Sequence, residues 1–185
     1  FDPANDYRVN PVINLNNLVR INASKNFFVN AYAEYAFMPN LKLRVTGGIT
    51  DNNLRNEQFN NSQTQYGNFR QANGVNGSLA YSNNNSWLNE NTLTWNNTNK
   101  IHSLNVLAGF TSQGGNSSRY GMTATQLPNE KLGVSGLDEG IVQPLTATSS
   151  NWTMASFLGR VNYNYRSKYL LTASFRADGS SKFAE

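Results

Sequence analysis

From residue 27 to residue 37 the odd positions carry Phe27, Val29, Ala31, Ala33, Tyr35 and Phe37, while the even ones include Asn30 and Glu34. Side chains of an extended chain alternate between two faces, so this period of two predicts a strand with one apolar and one mostly polar face. Met38-Pro39-Asn40 interrupts the pattern, because proline has no N–H to give a sheet ladder and suits a turn. The alternation then resumes. Leu41, Leu43, Val45, Gly47 and Ile49 face one way, and Lys42, Arg44, Thr46 and Thr50 the other. The two runs predict a hairpin.

The pattern recurs twice. Leu93 and Trp95 oppose Thr92, Thr94 and Asn96. After the turn-like Asn97-Thr98-Asn99-Lys100, His102, Leu104, Val106, Ala108 and Phe110 alternate with Ser103, Asn105, Gly109 and Thr111. In the third hairpin Ala155, Phe157, Gly159, Val161, Tyr163 and Tyr165 oppose Ser156, Arg160, Asn162 and Asn164. Beyond Arg166-Ser167-Lys168, Tyr169, Leu171, Ala173, Phe175 and Ala177 oppose Thr172, Ser174, Arg176 and Asp178. No segment has a sustained helical period, although 129–138 could hold one short turn of helix. The turns inside hairpins are short. The segments between hairpins, about 51–86 and 112–150, are long, rich in Asn, Gln, Ser, Thr and Gly, and read as loops, with Asn73-Gly74 and Asn76-Gly77 as turn markers. Short turns at one end and long loops at the other are the plan of an outer-membrane barrel.

A soluble β-sandwich also alternates, so the apolar faces have to decide. Tyr35, Phe37, Trp95, Tyr163, Tyr165 and Tyr169 lie on them close to a short turn, and Phe27, Phe110, Phe157 and Phe175 at their far ends. Tyr and Trp favour a membrane–water interface, where the ring is in apolar surroundings and the polar tip is wet. Ten steps of strand span about 33 Å; tilted by about 40°, they project to about 25 Å, the height of an outer-membrane apolar band. Between the aromatic ends stand the small residues Ala31, Ala33, Gly47, Ala108, Gly159 and Ala173. A sandwich core must be filled to crystal-like density, whereas lipid chains conform to any surface. The expected fold is all-β: a partial transmembrane antiparallel β-barrel of about six strands in three hairpins.

Composition narrows the chemistry. Of 185 residues, 38% are hydrophobic, 12% aromatic and 14% charged, and 31 are Asn. Few charges with many aromatics argue for a folded chain with a neutral polar surface. The absence of Cys excludes disulfides, thiolate zinc sites and thiol nucleophiles, and a single His leaves little for a metal cluster or a catalytic triad. The net charge of +4 is scattered, not gathered into the basic stripe of a nucleic-acid surface. No stretch reaches the ~18 apolar residues of a membrane helix. The chain opens Phe1-Asp2-Pro3 without a leader and ends at Glu185 just after a strand-like run, so both ends read as cut.

The third hairpin also carries a family resemblance. Arg160-Val161-Asn162-Tyr163-Asn164-Tyr165 and the run from Lys168 through Arg176-Ala177-Asp178-Gly179-Ser180-Ser181-Lys182-Phe183 resemble the signature of the SusC/RagA family. Asn10-Pro11, the 31–35 stretch, the 41–44 stretch and 104–109 fit the same family; Ser167 stands where it often has an acidic residue. The family comprises TonB-dependent outer-membrane transporters of Bacteroidetes. The resemblance implies a plugged barrel of about 22 strands, of which residues 1–185 would be an internal part without the plug. It implies import of oligosaccharides or peptides, driven by TonB through the plug, with a SusD-like surface lipoprotein as partner and outer-membrane lipid around the barrel. The long loops would meet the lipoprotein. No catalytic residue, cofactor, metal or nucleic acid is implied. The alternative is a surface-exposed glycan-binding or adhesin β-module without transport.

Glu34, Arg44, Arg160, Arg176 and Asp178 lie on the polar faces and are the candidates for touching substrate inside the barrel. Carboxylates on separate strands are salt-bridge partners before they are acid–base pairs. His102, beside a short turn on the apolar face, reads as an interfacial belt residue. Asp178-Gly179-Ser180-Ser181 lacks the glycines, lysine and helix of a phosphate loop. Tyr66, Phe69, Tyr81 and Tyr120, in the segments read as loops, could stack on sugars. The Asn-x-Ser/Thr triplets at Asn76, Asn116 and Asn151 are expected by chance in so Asn-rich a chain. An amyloid-like zipper is disfavoured because Pro and charges interrupt the strands.

Overall fold

The computed structural model describes residues 10–182; Phe1–Pro3 and Phe183, used in the sequence reading, lie outside the described residues. The elements are α1 (Pro11–Asn17), β1 (Leu18–Met38), β2 (Leu41–Asn60), β3 (Asn76–Thr98), β4 (His102–Thr125), a 3-10 segment (Glu130–Glu139), β5 (Ile141–Val142), β6 (Thr146–Tyr165) and β7 (Tyr169–Ser180). The strands hydrogen-bond in the order β1-β2-β3-β4-β6-β7, with the two-residue β5 paired to β4. The sheet is mostly antiparallel and does not close on itself, as a piece of a β-barrel requires.

Local chemistry explains the turns. Asn99 closes the β3–β4 turn: its side-chain oxygen accepts from the N–H groups of Ile101 (2.9 Å) and His102 (2.7 Å). In the β6–β7 turn Lys168 N–H donates to the Tyr165 carbonyl at 3.0 Å, while Arg166 and Ser167 both have positive φ, 52° and 54°. Two consecutive left-handed residues are the twist-matched hairpin turn. The register that follows pairs Tyr165 with Tyr169, Val161 with Ala173 and Phe157 with Ala177, so the apolar positions of the two strands fall on one face. The 3-10 segment lies where a helical turn was expected. Helix α1 was not expected. Its Asn10 side chain accepts from Val12 N–H at 2.9 Å and Pro11 opens the first turn, but its short exposed stretch has no apolar stripe to announce it.

The connections are shorter than the sequence implies. Much of 51–86 and 112–150 is strand, and what remains between hairpins is 61–75 and 126–145. Asn is a poor strand former, but here amides pair across neighbouring strands. Asn83 Nδ2 donates to Asn53 Oδ1 at 2.6 Å, and Asn60 Nδ2 to Asn76 Oδ1 at 2.7 Å. Asn73-Gly74 is a true turn, with Gly74 at φ 53°; Asn76-Gly77 instead begins β3.

Two compact units divide the chain. The first, the loop unit, comprises described residues 10–25, 52–83 and 118–149. It holds a small hydrophobic core of Phe59, Val75, Ala124, Leu127 and Leu137, with Leu79, Met122 and Val134 packed against it. Leu137 comes from the 3-10 segment and is fully buried. Backbone bonds fix the two connections to one another: Gln126 N–H donates to the Asn73 carbonyl (2.8 Å) and Leu127 N–H to that of Val75 (3.0 Å). Glu130 accepts from Ser62 N–H at 2.9 Å. At Gly67 a Cβ would stand 2.1 Å from the Asn61 carbonyl oxygen, so only glycine fits.

The second, the turn unit, comprises described residues 26–51, 84–117 and 150–182. It contains the three hairpin turns, and among the described residues it buries no hydrophobic side chain. Phe27, Tyr35, Phe157, Leu171 and Phe175 are 58–69% exposed. So large an exposed apolar face marks a surface that meets other apolar matter.

Candidate functional site: the polar face of the turn unit

Opposite the apolar residues, alternation puts a polar face on every strand of the turn unit. A chain of hydrogen bonds crosses it. Asn105 Nδ2 donates to Asn96, Asn162 Nδ2 donates to Asn105 Oδ1 at 3.2 Å, and Thr172 Oγ1 donates to Asn162 Oδ1 at 3.0 Å. Asn105 and Asn162 each give one bond and accept another, so the groups satisfy one another and form a fixed polar track.

The charged candidates sit on the same kind of face in two places. On β1 and β2, Glu34 accepts from Lys42 Nζ at 3.4 Å, and the Arg44 guanidinium lies 4.0 Å from the centre of the Tyr32 ring. On β6 and β7, Arg176 Nε contacts both Asp178 oxygens, at 2.8 and 3.0 Å, while its Nη2 reaches Ser156 Oγ at 3.5 Å. Ser156 is buried and faces Asp178 in the register. Arg160 and Arg176 line one hollow of about 390 Å³ with Glu90, Thr92, Ser174 and the aliphatic floor of Leu107 and Leu158. Leu158 reaches that floor because β4 has Gly109 there: a Cβ would stand 2.9 Å from Leu158 Cγ.

Arg160, Arg176 and Asp178 thus come together, and Glu34 and Arg44 form a second group on the first hairpin. Arg176 is neutralised by Asp178; Arg160 has no ion-pair partner among the described residues. Glu90 and Tyr32 were missed as candidates. Both occupy polar-face positions, so the alternation itself was the signal that could have found them.

His102 lies at the turn end of the apolar face, bonded to and stacked with Tyr163, with Tyr165 tilted beside it. Of the aromatics read as loop residues, Tyr66 and Phe69 lie in the 61–75 connection, but Tyr81 and Tyr120 are on strands β3 and β4. No helix of the described residues is long and apolar enough to cross a membrane, and a β-barrel crosses with its strands.

No protein-family profile matches the chain. It is 32% identical over 164 residues to TonB-dependent receptor P3 of Formosa agariphila, which covers 84% of this chain and 15% of that receptor. It is 29% identical over 179 residues to TonB-dependent receptor P26 of the same organism, covering 95% of the chain and 18% of the receptor. The chain therefore spans less than a fifth of the length of these curated relatives. In fold it resembles the RagAB peptide transporter, with a TM-score of 0.79 at 20% identity over 92% of this chain and 19% of that one. BauA, the ferric preacinetobactin receptor of Acinetobacter baumannii, matches with a TM-score of 0.53 at 13% identity, over 87% of this chain and 26% of that one. An open antiparallel sheet with an uncovered apolar face, joined to these likenesses, makes the chain part of the β-barrel of a TonB-dependent receptor.

Proposed function

We propose that the protein to which this chain contributes is an outer-membrane importer. It takes up oligosaccharides or peptides in a TonB-dependent step together with a SusD-like surface lipoprotein. The observation that carries this reading is the pairing of opposite faces in the turn unit: bare Phe, Tyr and Leu on one, charged and amide side chains held in mutual hydrogen bonds on the other. A barrel wall between lipid and a wet passage needs that division. In this reading Glu34, Arg44, Arg160, Arg176 and Asp178 face the passage, where Arg160 meets passing solute and the paired charges set the local potential. The fold likeness to the RagAB peptide transporter supports a peptide as one substrate class and a partner protein as part of the assembly. The 61–75 and 126–145 connections are the parts suited to meet a lipoprotein, being extracellular in this reading.

The test is uptake in the source organism, with labelled oligosaccharide and labelled peptide pools supplied to wild-type, gene-deleted and TonB-deleted cells. Loss of uptake of one pool in both deletions supports the importer and names the substrate class. Surface binding of a glycan with no uptake that depends on the gene would overturn it in favour of the binding or adhesin module.

A further inference from the structure

The loop unit carries a pair of exposed tyrosines that transport through the barrel does not require. Gly121 of β4 lies across from Ala80 of β3: a Cβ on the glycine would be 3.9 Å from that of Ala80. The antiparallel register therefore sets Tyr120 beside Tyr81, and they are 55% and 47% exposed. Both rings border two hollows at once. One, of about 270 Å³, runs toward Leu79 and Leu145 and is apolar. The other, of about 390 Å³, runs toward Lys25, Arg55 and the amides of Asn53 and Asn83.

The groups around the second hollow complement one kind of molecule. An exposed phenol ring packs on the C–H face of a pyranose. The Asn53 and Asn83 side chains, joined at 2.6 Å, present a fixed amide edge to hydroxyls. Arg55 is engaged by Glu57, whose side chain is buried, whereas Lys25 makes no ion pair among the described residues. Its ammonium is the charge left for a ligand anion. Few polar groups converging on a partly aromatic hollow of this size are the anatomy of a small-ligand site.

We propose that Tyr81 and Tyr120, with Lys25 and the Asn53–Asn83 amide pair, bind a saccharide bearing an anionic substituent. Carboxylate, sulfate and phosphate sugars share this chemistry, and it has two sources at a bacterial surface: a soluble acidic oligosaccharide or the phosphorylated sugar headgroup of lipopolysaccharide.

The intact protein, purified in detergent, is titrated calorimetrically with trigalacturonate and with maltotriose as its neutral counterpart, and its retained lipopolysaccharide is measured by mass spectrometry. Variants are Tyr81→Ala, Tyr120→Ala, Lys25→Gln and the ring-keeping Tyr81→Phe, each checked for wild-type heat-modifiable mobility. Trigalacturonate binding weakened at least tenfold by either alanine variant and by Lys25→Gln, but not by Tyr81→Phe, supports a soluble acidic sugar. Loss of retained lipopolysaccharide in the same variants supports the headgroup. Unchanged affinity and unchanged lipopolysaccharide in all of them overturn the site, as does maltotriose binding equal to trigalacturonate and indifferent to Lys25. Because binding is read in detergent without TonB, failure here is distinct from failure of the importer reading.

Discussion

Trp152 of β6 lies directly against Gly115 of β4: a Cβ on Gly115 would stand 2.7 Å from the indole Nε1 and 3.0 Å from the Asn85 carbonyl oxygen. The carbonyl cannot retreat without disturbing β3, so the indole has to. Lys182 lies over the same ring, with the ammonium 5.4 Å from its centre. Gly115→Ala is expected to lift the ring off the strand, shift the tryptophan emission and cost about 1–3 kcal/mol, as overpacking does. Tryptophan fluorescence with urea unfolding of the detergent-solubilised protein measures both. An unaltered spectrum and midpoint would mean that the glycine is not there for the indole.

At the turn end of the same unit His102 Nδ1 and the Tyr163 hydroxyl are 2.7 Å apart and the two rings stack with centroids 6.0 Å apart, while Tyr165 lies tilted at 5.3 Å from the imidazole and Tyr169 stacks on Tyr165 at 6.3 Å. The imidazole thus bonds to a phenol within a cluster of tyrosine rings. Tyr163→Phe keeps the ring and removes the bond; it should cost about 0.5–1.5 kcal/mol. His102→Ala removes bond and stacking together and should cost more. Equal midpoints for the two variants would show that the rings contribute nothing beyond the hydrogen bond.

How much of this was legible in the sequence depends on what carried each signal. The hairpins followed from alternation and turn residues, so Tyr165 opposite Tyr169 and the bare apolar face were foreseeable. Strand length was not. Residues 51–60 and 112–125 look like loop because Asn, Gln, Ser and Gly lower strand propensity, and the compensating bonds, such as Asn53 to Asn83, join residues 30 apart in sequence. The core around Leu137 was hidden for the same reason: its members come from three segments, none apolar enough alone to stand out. On the polar face, the charged candidates were named from alternation, but their division into a neutralised Arg176 and an unpaired Arg160 required coordinates.

Leu137 anchors the 126–145 connection. It is fully buried, and it contacts the place where β3 begins, 3.0 Å from where a Cβ on Gly77 would stand. Leu137→Ala removes a buried branched side chain and should destabilise this small core by about 2–5 kcal/mol. The local opening should appear as earlier proteolytic cleavage within 126–145, with the 166–168 turn cut no faster than in the wild type. Cleavage accelerated equally at both would show that the core stabilises the whole sheet and not the connection alone.

Neighbouring positions on β7 give the sharpest test of which face meets lipid. Ala173 pairs with Val161 on the apolar face, and Thr172 pairs with Asn162 on the polar face, where its Oγ1 donates to Asn162 Oδ1 at 3.0 Å. Both are exposed in the isolated sheet, so if both faces met water, an arginine at 173 would be a surface change within about 0.5 kcal/mol, and one at 172 would cost only its hydrogen bond, about 0.5–1.5 kcal/mol. A lipid boundary reverses that order. Ala173→Arg must then carry a guanidinium into hydrocarbon, at about 2–4 kcal/mol near the midplane. Thr172→Arg loses one hydrogen bond, about 0.5–1.5 kcal/mol, and places its charge in a wet passage. Folding of the intact protein into phosphatidylcholine vesicles, followed by heat-modifiable mobility across a urea series, should show Ala173→Arg shifted well below wild type and Thr172→Arg close to it. Small shifts in both would mean that the apolar face does not lie in lipid, and a large shift in Thr172→Arg alone would exchange the two faces.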